Sequence, residues 1–166
     1  MPTGRATLGT LLRHLQEMLD RDVESVYSEA GLDYRPRYTP VVRHVAEHGP
    51  SSIRAIADRA SLTHSAASQT VAEMVRRGLA TTIPGADARE RIVALTPAAR
   101  AMLPELELYW AATASAAASL FAEIGIDLEA GLAAAIEALG RRSFFDRITA
   151  AGATSETGDK IREPVQ

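Results

Sequence analysis

Apolar residues recur every three or four positions along most of the chain, which predicts helices. This spacing predicts a long amphipathic helix over residues 7–30 and a second helix over 39–48, with Thr39 as its N-cap. Two shorter helices are expected within residues 51–78, and the second of them begins after the N-cap Thr63. The first half of the chain is therefore predicted to be helical.

The pattern changes after residue 78. Alternating apolar residues predict two short strands, at 79–83 and 91–95, joined by the turn PGADARE. An Ala- and Leu-rich helix is predicted over 97–123, in which Pro104 introduces a kink or marks a later start. A last helix is predicted to begin after the cap residue Asp127.

Two short helices joined by a four-residue turn and followed by a hairpin predict a winged helix-turn-helix. The fold class is mainly helical with a small β-hairpin wing. Because the outer helices carry apolar stripes, we expect them to be buried across a homodimer interface. The predicted organisation is an N-terminal dimerisation helix (7–34), a winged helix-turn-helix lobe (36–96), C-terminal dimerisation helices (97–150) and a disordered tail (151–166).

The helix that follows Thr63 has an outer face of small and polar residues. A helix that enters the DNA major groove, about 12 Å wide, needs a narrow face that can hydrogen-bond to base edges. Its N-terminal end also offers free N–H groups to a phosphate. The alternative is a contact surface between helices. The residues predicted to read the major groove are Thr63, His64, Ser65, Ser68 and Gln69.

Two arginines, each beside an acid, lie in the turn between the strands. Arg89 is predicted to enter the minor groove, and Asp87 to orient its guanidinium by a charge-assisted hydrogen bond. Arg91, Arg54 and Arg76 are predicted to contact DNA phosphates. Taken alone, the charged run could equally be an ordinary solvated turn, but the preceding helices favour a DNA-binding wing.

Charge is distributed unevenly along the chain. The net charge is −3, yet residues 36–95 hold eight arginines against five acids, which indicates a polyanionic partner. The sequence has no cysteine, no apolar run long enough to cross a membrane and no enzymatic motif. We therefore expect a cytoplasmic, non-enzymatic protein without a cofactor or a metal.

Four aromatic residues could serve a ligand. They either line a pocket for a small aromatic or lipophilic effector or anchor the core. These residues are Tyr34, Tyr38, Tyr109 and Trp110.

A pair of histidines, His44 and His48, lies four residues apart on one helix. This spacing would let them share a metal ion. No carboxylate or cysteine with suitable spacing accompanies them, so a solvent-facing pair is favoured.

The stretch DARERIVALT at 87–96 matches the wing signature Asp-x-Arg followed by Leu-Thr of the MarR (multiple-antibiotic-resistance regulator) family. Upstream, IADRASLTHSAASQTVAEMVRRGLA resembles that family's two DNA-binding helices. The resemblance covers most of residues 7–148. It implies a dimeric, ligand-responsive transcription regulator, in which each subunit places one helix in a half-site of a pseudo-palindromic operator. It further implies that Arg89 is the minor-groove arginine and Asp87 its partner.

Two departures accompany the resemblance. Gln69 stands where the family often has an arginine, which argues against guanine reading there, and Pro104 interrupts an expected dimer helix. The alternative function is a dimeric winged-helix module for ligand or protein interaction that has lost DNA binding. Such a module would be expected to carry acids at positions 64–69 or to lack the wing arginine, and the sequence has neither feature.

We predict that Arg89→Ala weakens operator binding by about 1–3 kcal/mol, because one minor-groove contact is lost in each half-site. Binding titrations at several salt concentrations measure this, and the variant should remain folded. An unchanged affinity together with an unchanged salt dependence would contradict the assignment of the wing.

Overall fold

The computed structural model of the chain describes residues 6–85 and 90–152. These residues form seven α-helices, one short 3₁₀ helix and three short strands, which confirms the predicted fold class. The helices are α1 (Leu8–Glu29), α2 (Thr39–His48), α3 (Ile53–Arg59), α4 (His64–Arg76), α5 (Pro97–Ile124), α6 (Leu128–Arg141) and α7 (Phe144–Ala150). The strands are β1 (Ser51–Ser52), β2 (Ala80–Pro84) and β3 (Arg91–Leu95). The chain divides into two compact units, Met1–Thr113 and Ala114–Gln166.

Side-chain caps account for where several helices begin. Ser52, Thr63 and Asp127 each accept a hydrogen bond from the backbone N–H three residues further along, at the starts of α3, α4 and α6. The predicted cap at Thr39 is wrong. A 3₁₀ turn, Pro36–Tyr38, runs directly into α2, so Thr39 is already the first helical residue.

The sheet has three antiparallel strands in the order β1-β3-β2. Val93 in the central strand lies opposite Ser51 on one side and Thr82 on the other, and it is fully buried. The sequence predicted only the two hairpin strands, because a two-residue strand is too short to show an alternating pattern. The small sheet thus ties the hairpin to the segment before α3.

The first unit contains the core. Tyr27 of α1 packs edge-to-face on Tyr34 at 5.1 Å between ring centroids, and Tyr34 packs in the same way on Tyr38 at 5.7 Å. These rings join buried side chains of α2, α3, α4, β3 and α5. The fully buried ones include Val41, Val45, Ile56, Met74, Val93 and Leu106. The core therefore links the end of α1 to the helix-turn-helix.

The second unit has little interior of its own. Among the described residues of α6 and α7, none is buried. Large apolar side chains stay exposed instead, and Phe145 of α7 is 70% exposed. Helix α7 was not predicted, although Ser143 caps it by accepting a hydrogen bond from the Asp146 N–H.

Helix α5 runs without interruption through Pro104. The expectation of a later start at this proline is therefore wrong. The tail predicted to be disordered falls, from residue 153 onward, outside the described residues, while residues 151–152 form a turn. None of the described helices combines the length and the apolar character needed to cross a membrane.

We predict that Gly78→Ala lowers the free energy of unfolding by about 1–2 kcal/mol, because Gly78 has φ +71°, which is costly for a residue with a Cβ. Here the chain turns from α4 into the hairpin, and the Leu79 N–H donates to the Met74 carbonyl at 2.8 Å. Urea denaturation measures the change. The matched control is Gly131→Ala inside α6, which should be neutral or stabilising. Equal destabilisation by both substitutions would contradict the argument.

Candidate nucleic-acid interface

Helices α3 and α4 form the helix-turn-helix. Ser61 in the turn has φ +54°, and the Leu62 N–H donates to the Ala57 carbonyl at 3.0 Å. The inner faces of the two helices bury Ala57 and Ala67, two small residues that let the helices approach closely. This packing holds α4 with its opposite side towards solvent.

The outer side of α4 carries the residues predicted to read DNA. His64, Ser65 and Gln69 are exposed, and Ser68 is half-buried. The Thr63 hydroxyl accepts a hydrogen bond from the Ala66 N–H at 3.1 Å, so it serves as the helix cap. The exposed polar face agrees with the sequence analysis, and its contact with DNA stays a prediction.

A groove of about 500 Å³ lies between the starts of α3 and α4 and the start of β3, next to the hairpin turn. Four of the predicted DNA-contacting residues line it, and they come from three separate elements: Arg54, His64, Ser68 and Arg91. Ser52, Ile53 and Glu90 complete the lining and were not predicted. The pairing of β1 with β3 places Ser52 opposite Ile92, next to Arg91, and the sequence carried no visible signal for this pairing.

The other predicted residues lie elsewhere. Gln69 and Arg76 are exposed on α4 and do not line the groove. Asp87 and Arg89 lie outside the described residues. Arg54 lies 3.9 Å from the Asp58 carboxylate, and because both side chains are exposed this ion pair is weak and leaves the guanidinium available.

Sequence reasoning missed a cluster of charged groups around Glu73 of α4. Its carboxylate accepts a hydrogen bond from the Tyr38 hydroxyl at 2.7 Å and pairs with Arg37. The guanidinium of Arg77 lies 3.4 Å from the same carboxylate, and that of Arg35 lies 3.9 Å from it. Arg77 in turn pairs with Asp33. We call these six residues, Asp33, Arg35, Arg37, Tyr38, Glu73 and Arg77, the Glu73 cluster.

The cluster perturbs the ionisation of its members. Hydrogen bonds from Tyr38 and Arg37 lower the pKa of Glu73 to about 2. The hydrogen bond to Glu73 raises the pKa of Arg37 above its ordinary value, and burial raises the pKa of Tyr38. The carboxylate is therefore held in its charged form.

The cluster also changes the charge argument drawn from the sequence. Arg37 and Arg77 belong to the arginine excess of residues 36–95, but they are paired with Glu73 and Asp33. Of the remaining arginines of this region that the structure describes, Arg54 and Arg91 line the groove, and Arg43, Arg59 and Arg76 are exposed elsewhere. The number of arginines free to meet a polyanion is consequently smaller than the residue count suggests.

Most of the proposed effector aromatics belong to the core. Tyr34, Tyr38 and Trp110 are buried, and Tyr109 is half-buried. The Arg43 guanidinium lies 4.6 Å from the centroid of the Trp110 ring. The buried Trp110 Nε1–H faces the Tyr27 hydroxyl without forming a hydrogen bond of good geometry. A second cavity, of about 430 Å³, is lined by Tyr34 but not by the other three aromatics; its walls are Glu24, Ser28, Gly31, Leu32, Asp33, Tyr34 and Arg35.

The histidine pair differs from the expectation. His44 is only 9% exposed, and its ring stacks on that of His48 at 4.7 Å between centroids. Burial, then the neighbouring His48 and Arg59, lower the pKa of His44. The prediction of a solvent-facing pair is therefore wrong for His44, because the side of α2 that carries it packs into the lobe. Within the described residues, no group of three metal-ligating side chains occurs.

Comparison with known proteins agrees with this architecture. The model of the MarR family matches residues 31–90. The transcriptional regulator MOSR of M. tuberculosis, solved in complex with DNA, is 22% identical and has a TM-score of 0.62 over 80% of this chain and 98% of its own. The regulator PcaV of Streptomyces coelicolor is 23% identical, with a TM-score of 0.60 over 81% of this chain and 100% of its own.

A MarR family regulator from Neisseria meningitidis is 21% identical, with a TM-score of 0.54 over 81% of this chain and 92% of its own. At these identities the structures establish a shared fold. No curated protein sequence matches the chain.

We predict that Glu73→Gln destabilises the chain in a pH-dependent way. The folded pKa of Glu73, about 2, lies below the ordinary value of 4.5. The ionised carboxylate therefore stabilises the fold above the ordinary pKa, and this stabilisation is lost as the pH falls towards 2. The difference in unfolding free energy from wild type should be steady near neutral pH and shrink below about pH 4.5.

Urea denaturation between pH 3 and pH 7 measures this difference. Glu105→Gln, which removes an exposed carboxylate of α5, controls for the general change in charge. The same pH dependence in both variants would contradict a specific role for the Glu73 cluster.

Proposed function

We propose that this chain is a sequence-specific DNA-binding transcription regulator, because the model of the MarR family matches residues 31–90. In finer detail, we propose a homodimeric, ligand-responsive repressor that binds a pseudo-palindromic operator. The observation that carries the proposal is the groove lined by Arg54, His64, Ser68 and Arg91.

The groove combines two kinds of DNA contact. Arg54 and Arg91 supply cations from α3 and β3, which suit phosphates on the two sides of a helix inserted in the major groove. His64 and Ser68 belong to α4 and point to the same space, so they can reach base edges or phosphates. Ser65 and Gln69 extend this polar surface along α4. The side-chain amide of Gln69 can form two hydrogen bonds with the edge of an adenine.

The remaining predicted contacts complete the mode of binding. Arg76 at the end of α4 is exposed and would meet a phosphate further along the duplex. Arg89 would enter the minor groove, with Asp87 as its orienting partner, as the sequence analysis proposes. Together, major-groove reading by α4 and minor-groove reading by the wing favour an operator with A·T-rich flanks.

Exposed apolar side chains support the homodimer. Helix α1 exposes Leu8, Leu11 and Leu19 in the first unit. In the second unit, α6 exposes Ile136, and α7 exposes Phe145. Apolar surface on this scale is typical of protein–protein interfaces. A second copy of the chain would cover it and would set two α4 helices about one turn of DNA apart.

A buried donor supports the response to a ligand. The buried Trp110 Nε1–H has only an imperfect partner in the Tyr27 hydroxyl, so an acceptor atom of a small aromatic or lipophilic effector would stabilise it. The regulator PcaV is solved with its natural ligand and NadR with 4-hydroxyphenylacetate. An effector that shifts the spacing of the two α4 helices would release the operator, because both half-sites would lose their fit.

The test is a selection of random DNA duplexes by the purified protein at near-physiological salt. We expect enrichment of a two-fold symmetric sequence with A·T-rich flanks, because two α4 helices would read equivalent half-sites. A folded dimer that enriches no sequence, with or without candidate aromatic ligands, would overturn DNA reading and favour the interaction-module alternative.

Binding of the enriched duplex then tests the groove. Arg54→Ala and Arg91→Ala should each weaken binding by about tenfold, because each removes a phosphate contact. Each should also reduce the slope of log K against log salt concentration by about one. Arg21→Ala on α1 removes the same charge away from the groove and should leave binding nearly unchanged. Equal losses in all three variants would show that only net charge matters.

A further inference from the structure

The Glu73 cluster connects the segment after α1 to the recognition helix α4. Within this segment, which covers residues 33–38, Arg37 and Tyr38 bind the Glu73 carboxylate. A second link runs from Asp33 to Arg77 at the end of α4. Three side chains of one short segment thus meet a carboxylate and a neighbouring guanidinium at the end of α4.

The cluster is better placed to hold α4 than to bind DNA. The Glu73 side chain is only 15% exposed, and the hydroxyl and guanidinium groups around it already occupy both carboxylate oxygens. It follows Gln69 by one helical turn, so it lies beside the predicted reading surface. A carboxylate would also repel DNA phosphates if it faced them.

The segment that binds the carboxylate is anchored in the core. The Tyr38 ring is fully buried and packs edge-to-face on Tyr34, which in turn packs on Tyr27 near the end of α1. These contacts form a continuous path of packed side chains from α1 to Glu73. A displacement of the end of α1 would therefore move Tyr38, and the Tyr38 hydroxyl would carry the movement to α4.

We propose that Glu73 is a positioning residue for DNA reading: its bonds to Tyr38 and Arg37 fix the recognition helix on segment 33–38 and transmit movements of α1 to it. This inference rests on the proposed function. It assigns to Glu73 and Tyr38 an effect on sequence discrimination although neither is expected to touch a base.

Electrostatics and positioning predict opposite signs when the carboxylate is removed. Loss of a negative charge beside the DNA-binding face should tighten binding to any DNA. Loss of positioning should weaken binding to the operator alone, because base contacts require α4 to lie in register with the groove while phosphate contacts tolerate displacement. The ratio of operator to unrelated-DNA affinity therefore separates the two effects.

The experiment compares wild type, Glu73→Gln and Tyr38→Phe on the selected duplex and on an unrelated duplex of equal length. We expect Glu73→Gln to lower the affinity ratio by about tenfold, with binding to unrelated DNA unchanged or tighter. Tyr38→Phe keeps the buried ring and removes one donor, so a smaller loss in the same direction is expected. Glu105→Gln is the control for charge and should leave the ratio unchanged.

The results that would overturn the inference are as specific as the expected one. If the affinities for both duplexes fall together and the melting temperature is lower, the role of Glu73 is purely structural and the inference is overturned. An unchanged ratio of operator to unrelated-DNA affinity in a folded Glu73→Gln variant also overturns it. If Glu73→Gln does not fold, Tyr38→Phe decides by the same criterion. A wild-type protein that enriches no sequence overturns the proposed function and the inference with it, whereas an enriched operator with unchanged discrimination in the variants overturns the inference alone.

Discussion

The arrangement of the winged lobe depends on the hydrogen bond and the ion pairs of the half-buried Glu73 carboxylate. A carboxylate at such a position requires donors, and here Tyr38, Arg37 and Arg77 provide them. The donors come from the segment after α1 and from the last turn of α4. Satisfying one charge therefore fixes the distance between these two elements, and the edge-to-face tyrosines extend the same constraint back to α1.

This constraint divides the arginines into two groups. Arg37 and Arg77 are paired with the acids Glu73 and Asp33 of the same lobe. Arg54 and Arg91 line the groove beside α4, where a phosphate is the partner that matches their charge and geometry. A chain with a net negative charge can thus present a local cationic surface, because some of its arginines are paired with acids while others line the groove.

Large apolar side chains are also distributed unevenly between the two units. In the first unit, the interior is filled by tyrosines and aliphatic side chains that connect α1 to the helix-turn-helix. The second unit exposes Ile136, Phe144 and Phe145, although such residues are usually buried. In the proposed homodimer, a second copy of the chain would cover these side chains.

Local physical chemistry accounts for what the sequence alone determined about this protein. Helical periods, the caps at Thr63 and Asp127 and the alternation in β3 each involve neighbouring residues, so they were readable in the chain. The polar outer face of α4 was predicted for the same reason. The strand β1 was not predicted because two residues are too few to show an alternating pattern, and α7 was not predicted although it is as long as α3.

Only the tertiary structure decided which charges and rings meet. Tyr38 and Glu73 are 35 residues apart in the chain, and Asp33 and Arg77 are 44 apart. No local pattern relates such residues, and burial of His44 likewise followed from how α2 packs. The elements were determined by contacts between near neighbours. The Glu73 cluster, the groove and the buried histidine depend on distant segments packing together, which the order of residues does not reveal.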